Sequence, residues 1–317
     1  MRMGRTVAFA IFAVSVLTLV VRSRATDVAT GDWTIRKSDT RDKVVFSLME
    51  HRRNGSSSHE SDWSASSFAG VDFSKPGRQD VHFTVARDAG KIECEGFLDN
   101  GEGAGIFHFQ PDPNYPQAMR ALGFPIDDSD RSDMQYSMAL FDISLEFARQ
   151  MKAESLTDLD AGKLIAFRIH GVDAAFIEGL RAAGLKVSDS DKLVAFRIHG
   201  VTAQMVEFLH QAGYSPDEDM LIAMRIHGAS PEWMTQLKSL GYDHVDLEKL
   251  IAFRIHGVSP EFIDKLQHLG YAHPDPDELV AMRIHNVTPE YISDMRTRGM
   301  HDLSVDQLVN MRIHGID

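Results

Sequence analysis

The sequence predicts a mixed chain: a small, mainly antiparallel β domain followed by an all-α solenoid of helix-pair repeats, each about 29 residues long. Three observations predict it. Between Asp32 and Gln110 apolar side chains alternate with polar ones, which is the period of strands. Beyond Asp112 the string Leu-(Ile/Val)-X-(Phe/Met)-Arg-Ile-His-(Gly/Asn) occurs six times, with histidines at His170, His199, His227, His256, His285 and His314, 29 residues apart and once 28. Recurrence at about 20 to 50 residues marks stacked supersecondary units, each unable to bury its own apolar face.

The chain begins with Arg2 and Arg5, then an uncharged apolar run from Thr6 to Val21. Ser23 and Ala25 occupy the −3 and −1 positions of a cut before Thr26, so 1–25 reads as a Sec-type signal peptide cleaved after Ala25. An uncleaved signal anchor is the alternative, although the 16-residue run falls short of the about 20 residues that span a bilayer. After cleavage no segment is apolar enough to cross a membrane, and the expected location is secreted or periplasmic. The single cysteine, Cys94, has no intramolecular partner and reads as a buried thiol in a strand.

Lys+Arg number 33 against 46 Asp+Glu, a formal charge of −13. The 14 basic and 14 acidic side chains before position 112 balance, so the whole excess lies beyond it, 19 against 32. Nucleic-acid binding, which needs a basic face, is excluded on this ground.

The β domain is expected over 26–111. Its strands are marked by Trp33-Ile35, Val44-Phe46-Leu48, Val81-Phe83-Val85, Ile92-Cys94-Gly96-Leu98 and Phe107-Phe109, with Asp99 to Gly103 as a hairpin turn. The Ser-rich stretch Asn54 to Ser67 reads as a mobile loop between strands. The glycines from Gly96 to Gly105 read as β-turn residues, since no helix start or GK[ST] follows.

The array is expected over 112–317, with degenerate units at 112–159 and regular repeats at 160–317. The first helix of each unit starts at an N-cap (Asp160, Asp189, Asp217, Asp246, Asp275, Ser304) and stops at Gly171, Gly200, Gly228, Gly257, Asn286 or Gly315. The second starts at Asp173, Thr202, Ser230, Ser259 or Thr288, the last three followed by proline at N1, and stops at Gly184, Gly213, Gly241, Gly270 or Gly299. Shifting the template back places Phe141 opposite His170 and Ser144 at an N-cap. One step earlier, Asp112-Pro113-Asn114-Tyr115 matches Ser259-Pro260-Glu261-Phe262.

On a helical wheel with the repeat leucine at 0°, the following Ile/Val falls at about 100°, Phe/Met at about 300° and the last isoleucine at about 140°. Taken together they form an apolar arc, and the arginine at about 40° lies inside it. Arg168, Arg197, Arg225, Arg254, Arg283 and Arg312 are therefore expected to project between packed helices as a structural ladder on C-terminal carbonyls or acidic caps, with an anion-binding ladder as the alternative. The histidines, at about 240°, are expected to be partly exposed. Three roles stay open for them: bonding of terminal carbonyls, a partner-facing ladder, and metal binding or pH sensing. Sharing of one metal between neighbours is disfavoured, because packed helices lie about 8–10 Å apart. The stripe Phe176, Trp233, Phe262, Tyr291 reads as core.

No HExxH, GxSxG, Walker loop or local Cys-His pair occurs, so no catalytic, cofactor-binding or metal residues are assigned and the chain is expected not to be an enzyme. The repeat itself, as in Leu250-Ile-Ala-Phe-Arg-Ile-His-Gly-Val-Ser-Pro-Glu-Phe-Ile263, resembles arrays in bacterial secreted and envelope proteins, some attached to sensor metallopeptidases of the BlaR/MecR type. The resemblance covers about two-thirds of the chain. The peptidase's zinc-binding helix has no counterpart here, so the resemblance implies a repeat array and no proteolysis. The expected function is protein–protein interaction through a solenoid surface. Two alternatives are an envelope structural protein that binds cell-wall polysaccharide through its β domain, and a hydrolase with its site at the domain junction.

Overall fold

The computed structural model describes residues 29–52, 55–128 and 130–316. The expected signal peptide and Asn54 lie outside them. The described chain divides into two compact units, one of 29–85 with 92–111 and the other of 86–91 with 112–316. Six antiparallel strands form the first and fourteen helices the second.

The strands are β1 (Thr30–Lys37), β2 (Lys43–Arg52), β3 (Gly55–Ser64), β4 (Arg78–Arg87), β5 (Gly90–Asp99) and β6 (Glu102–Pro111), with a 3-10 turn at Ala65–Ser67. They are ordered β3-β2-β1-β6-β5-β4, and β1 pairs antiparallel with both β2 and β6. Phe46 on β2 and Phe83 on β4 stand four strands apart in this order, which in a flat sheet is about 19 Å. Their ring centroids are nonetheless 6.1 Å apart, and Phe68 lies within 5.2 and 5.4 Å of the two. The sheet therefore curls over an aromatic core that also holds Trp33, 5.2 Å from Phe83.

Two expectations are corrected here. The Ser-rich stretch is a strand and not a loop: β3 pairs with β2 from Lys43↔Ser64 to Arg52↔Gly55. An edge strand needs only its backbone for pairing, and with nearly all of its side chains exposed or half-buried it carries almost no apolar alternation to read. The glycines between 96 and 105 are also not all turn residues. Asn100 and Gly101 turn the β5–β6 hairpin with φ of 53° and 86°, whereas Gly96 and Gly105 lie within strands, where a Cβ would stand 2.7 Å or less from atoms of Trp33. They make room for the indole, whose Nε1 donates to the Glu95 carbonyl at 3.1 Å.

In the helical unit, α1 (Tyr115–Leu122), α2 (Arg131–Leu140) and α3 (Leu145–Ala153) precede the regular pairs. The first helices of the pairs are α4 (Ala161–His170), α6 (Ser190–His199), α8 (Glu218–His227), α10 (Leu247–His256), α12 (Pro276–Ile284) and α14 (Val305–Ile313). The second helices are α5 (Ala174–Ala182), α7 (Ala203–Gln211), α9 (Pro231–Ser239), α11 (Pro260–His268) and α13 (Pro289–Thr297). Each first helix packs on the next first helix, from α2 through α14, and each second helix on the next second helix, from α5 through α13. The caps explain the boundaries. Asp160, Asp189, Asp217, Asp275 and Ser304 accept from backbone amides two or three residues on, as do all five caps of the second helices. Asp246 holds the cap position without a side-chain bond, and α1 starts two residues later than the template, at Asn114.

A tyrosine after the second-helix glycine ties successive units together. The hydroxyls of Tyr214, Tyr242 and Tyr271 donate to the carbonyls of Val245, Pro274 and Leu303 at 2.9, 2.7 and 2.7 Å. Burial pushes the Tyr242 phenol from its ordinary value of 10.0 up to about 12 and raises those of Tyr214 and Tyr271 as well. The folded chain thus holds these protons more tightly than the unfolded one; the Tyr242 contribution is complete below about pH 10 and is lost between about pH 10 and 12. Urea midpoints should fall across that window, and Tyr242→Phe should make the fall shallower; an unchanged slope would contradict the latch.

Candidate functional site

The first helices bury nearly the same residues. The repeat leucine is buried in every unit and the Phe/Met, for instance Phe196, in the first five, with Met311 of the last unit half-buried. On the wheel these two define a core direction near 330°, the midpoint of about 0° and about 300°. The last isoleucine, at about 140°, lies about 170° from it. Ile169, Ile198, Ile226, Ile255, Ile284 and Ile313 are accordingly between 52% and 56% exposed. This corrects their expected place in the apolar arc: that arc takes in every apolar residue, whereas the leucine and the Phe/Met alone point to the core. One turn earlier the Ile/Val at about 100° is half-buried (Ile165, Val194, Ile222, Ile251, Val280, Val309). Because the six helices pack consecutively, the isoleucines form a ladder along one row.

The arginines stand one position before these isoleucines, about 100° round the helix from them. They are exposed or half-buried, and each reaches back to the preceding unit, four of them to helix C-terminal carbonyls as expected of a structural ladder. The Nε atoms of Arg197, Arg225, Arg254 and Arg283 donate to the carbonyls of His170, His199, His227 and His256 at 3.2, 3.1, 3.1 and 3.4 Å. Those carbonyls end their helices and have no partner within them, so a cation there also meets the negative end of the helix dipole. The guanidinium groups of Arg168, Arg197, Arg254, Arg283 and Arg312 stand 4.0 to 5.2 Å over the rings of Phe147, Phe176, Trp233, Phe262 and Tyr291. Each ring belongs to the preceding second helix, and Phe147 to the degenerate unit.

Of the histidines, His170, His227, His256 and His314 are exposed, and His199 and His285 half-buried. Their backbone carbonyls, not their imidazoles, meet the helix ends. Among the described residues the six rings make no hydrogen bond or ion pair, which corrects the expectation that they bond terminal carbonyls. No group of three or more His, Cys, Asp or Glu is placed to hold a metal ion among the described residues.

A second capping ladder escaped the sequence reading. In the second helices His210 Nδ1 lies 2.9 Å from the Ala183 carbonyl, Gln267 Nε2 donates to the Leu240 carbonyl at 3.1 Å, and Arg296 Nη2 donates to that of Leu269 at 2.5 Å. The signal was there in the 29-residue spacing of Gln267 and Arg296, but their chemistry differs, so no residue type repeats.

Opposite the arginine end, each first helix after α4 opens with an acid two residues before the leucine: Asp191, Asp219, Glu248, Asp277 and Asp306. Asp191 pairs with Lys163 at 3.0 Å, Asp219 with Lys192, and Asp277 with Lys249. The first helices therefore run from an acidic rim, across a β-branched apolar band, to an arginine rim. In the other unit, Cys94 is fully buried and its thiol is pushed up by burial. It is expected to react with maleimide only on unfolding; labelling of the native protein at the rate of an exposed thiol would contradict this.

No protein-family model matches the chain, and no match is found among curated proteins.

Proposed function

We propose that the chain is a secreted or periplasmic, non-enzymatic scaffold whose helical region is an α-solenoid that docks a protein on the isoleucine ladder. The ladder carries this reading. Packing does not require isoleucine at a position more than half exposed, and a β-branched residue there is a poorer helix former than lysine or glutamate. Duplication alone does not account for it either. The position just before the leucine has drifted through Lys163, Lys192, Met220, Lys249, Glu278 and Gln307, while isoleucine stands in all six units. Large contiguous apolar surface rimmed by charge is the common signature of a protein interface, and stacked helix pairs extend such a surface over many units.

The test is crosslinking of the protein in its native host, with the captured chains identified by mass, beside an Ile198→Lys/Ile226→Lys/Ile255→Lys variant. Lysine suits the last turn of a helix, so the variant should fold with an unchanged circular dichroism spectrum and a stability within about 1 kcal/mol of wild type. The expected result is loss of the captured protein from the variant. Equal capture by both forms contradicts the reading, and retention of only cell-wall polysaccharide would move recognition to the β domain.

A further inference from the structure

We propose that the isoleucine ladder docks a second copy of this chain, across a two-fold axis that runs along the row of first helices; this rests on reading the ladder as a protein-binding face. The argument is one of charge and position. Counted from the repeat leucine, the acid stands at −2, the half-buried Ile/Val at +1 and the exposed isoleucine at +5. The guanidinium of the following unit lies at the C-terminal rim, because it bonds the carbonyl of the histidine at +6. The middle of the apolar band is thus at +3. The acid lies five residues to one side of it, about 7.5 Å along the helix, and the guanidinium at a comparable distance to the other.

A two-fold axis along the row, at the level of that midpoint, turns the second copy's helices antiparallel and keeps each unit opposite its own counterpart. Each exposed isoleucine then meets the half-buried Ile/Val of the other copy. The arginine rim meets the acidic rim: Arg225 faces Asp191 of the second copy, Arg254 faces Asp219, and Arg283 faces Glu248. By symmetry every such pair occurs twice, as in any isologous interface. The carboxylates have capacity for it, since Asp191 and Asp219 remain 75% and 82% exposed beside their lysines and a carboxylate accepts several hydrogen bonds. A two-fold axis parallel to the helices would instead set arginine against arginine and acid against acid, so the distribution of sign selects the first arrangement.

The footprint is sufficient. Six helices about 8–10 Å apart and about 15 Å long present roughly 600–750 Å², close to the about 800 Å² that each partner contributes to a stable interface. The apolar band lies at its centre and the charges at its rims, the usual distribution in such interfaces.

Sedimentation velocity of the purified chain over a concentration series tests the proposal. A concentration-dependent dimer is expected, and Ile198→Lys/Ile226→Lys/Ile255→Lys should raise its Kd by about 100-fold or more. A second variant, Asp191→Lys/Asp219→Lys/Glu248→Lys, leaves the apolar band and the arginine contacts intact. It should raise the Kd by at least about 10-fold and flatten its dependence on salt. A monomer at every concentration overturns the proposal, as does a dimer indifferent to the isoleucine changes. A dimer that the acid reversals leave unchanged or tighten overturns the two-fold arrangement. A monomeric chain that loses a different captured protein on isoleucine substitution overturns only this inference and leaves the docking face standing.

Discussion

A Gly105→Ala variant is expected to lose the cooperative unfolding of its sheet unit, whereas Gly70→Ala costs about 1 kcal/mol. At Gly105 a Cβ would stand 1.9 Å from the Glu95 carbonyl oxygen and 2.6 Å from Trp33 Nε1. The first neighbour is backbone of the adjacent strand and the second a fully buried ring, so neither can yield without breaking the β5–β6 ladder or expelling Trp33 from the aromatic core. Either loss exceeds about 4 kcal/mol, most of the stability of a small domain. At Gly70 nothing lies within 4 Å, and only its positive φ of 81° resists a side chain. Near-ultraviolet circular dichroism and urea unfolding separate the two cases. A Gly105→Ala protein with native tryptophan signal and midpoint would contradict the close approach.

The second large effect is expected at Arg254. Arg254→Ala removes a charge-assisted bond to the His227 carbonyl and a guanidinium 5.2 Å from the Trp233 ring. Such a bond contributes about 1.5–3 kcal/mol and the ring contact about 0.5–1 kcal/mol. Water reaches the freed carbonyl at this exposed rim, so the expected loss is about 2–3 kcal/mol. Stacked units couple chiefly to their neighbours, so the loss should also weaken the joint between α8 and α10. Amide exchange should then show the opening free energy of α10 to α14 falling relative to wild type by more than that of α4 to α8. Arg254→Lys should recover less than half, because an ammonium lacks the planar fork that serves carbonyl and ring together. Full recovery by lysine would reduce the ladder to charge alone.

Much of this fold is legible from short-range signals. Caps and left-handed stops recur at fixed distances, each answering a local requirement of a helix end, so the helix boundaries follow from Asp160 to Ser304 and from Gly171 to Gly315 with few exceptions. The pairing of β3 is not legible, because Gly55 to Ser64 contributes backbone and almost no apolar pattern. The order of the strands is not legible either, since the contact of Phe46 with Phe83 joins residues whose strands are not neighbours in the sheet. In the site, the residue types were visible and their directions were not. The wheel sets arginine and isoleucine together in the apolar arc, whereas leucine and Phe/Met taken alone as the core turn the isoleucine outward. The carbonyl contacts of Arg197 to Arg283 cross from one unit to the next, a relation that a single-helix wheel does not contain.

The central claim is that the isoleucine row is a docking face, and photocrosslinking in the native host tests it most directly. A benzophenone side chain at Ile226, in the middle of the ladder, is compared with one at Glu207, exposed on a second helix. A discrete adduct of defined mass is predicted at Ile226 and none at Glu207. Equal adducts at both positions, or none at Ile226 while Glu207 captures a protein, would contradict it.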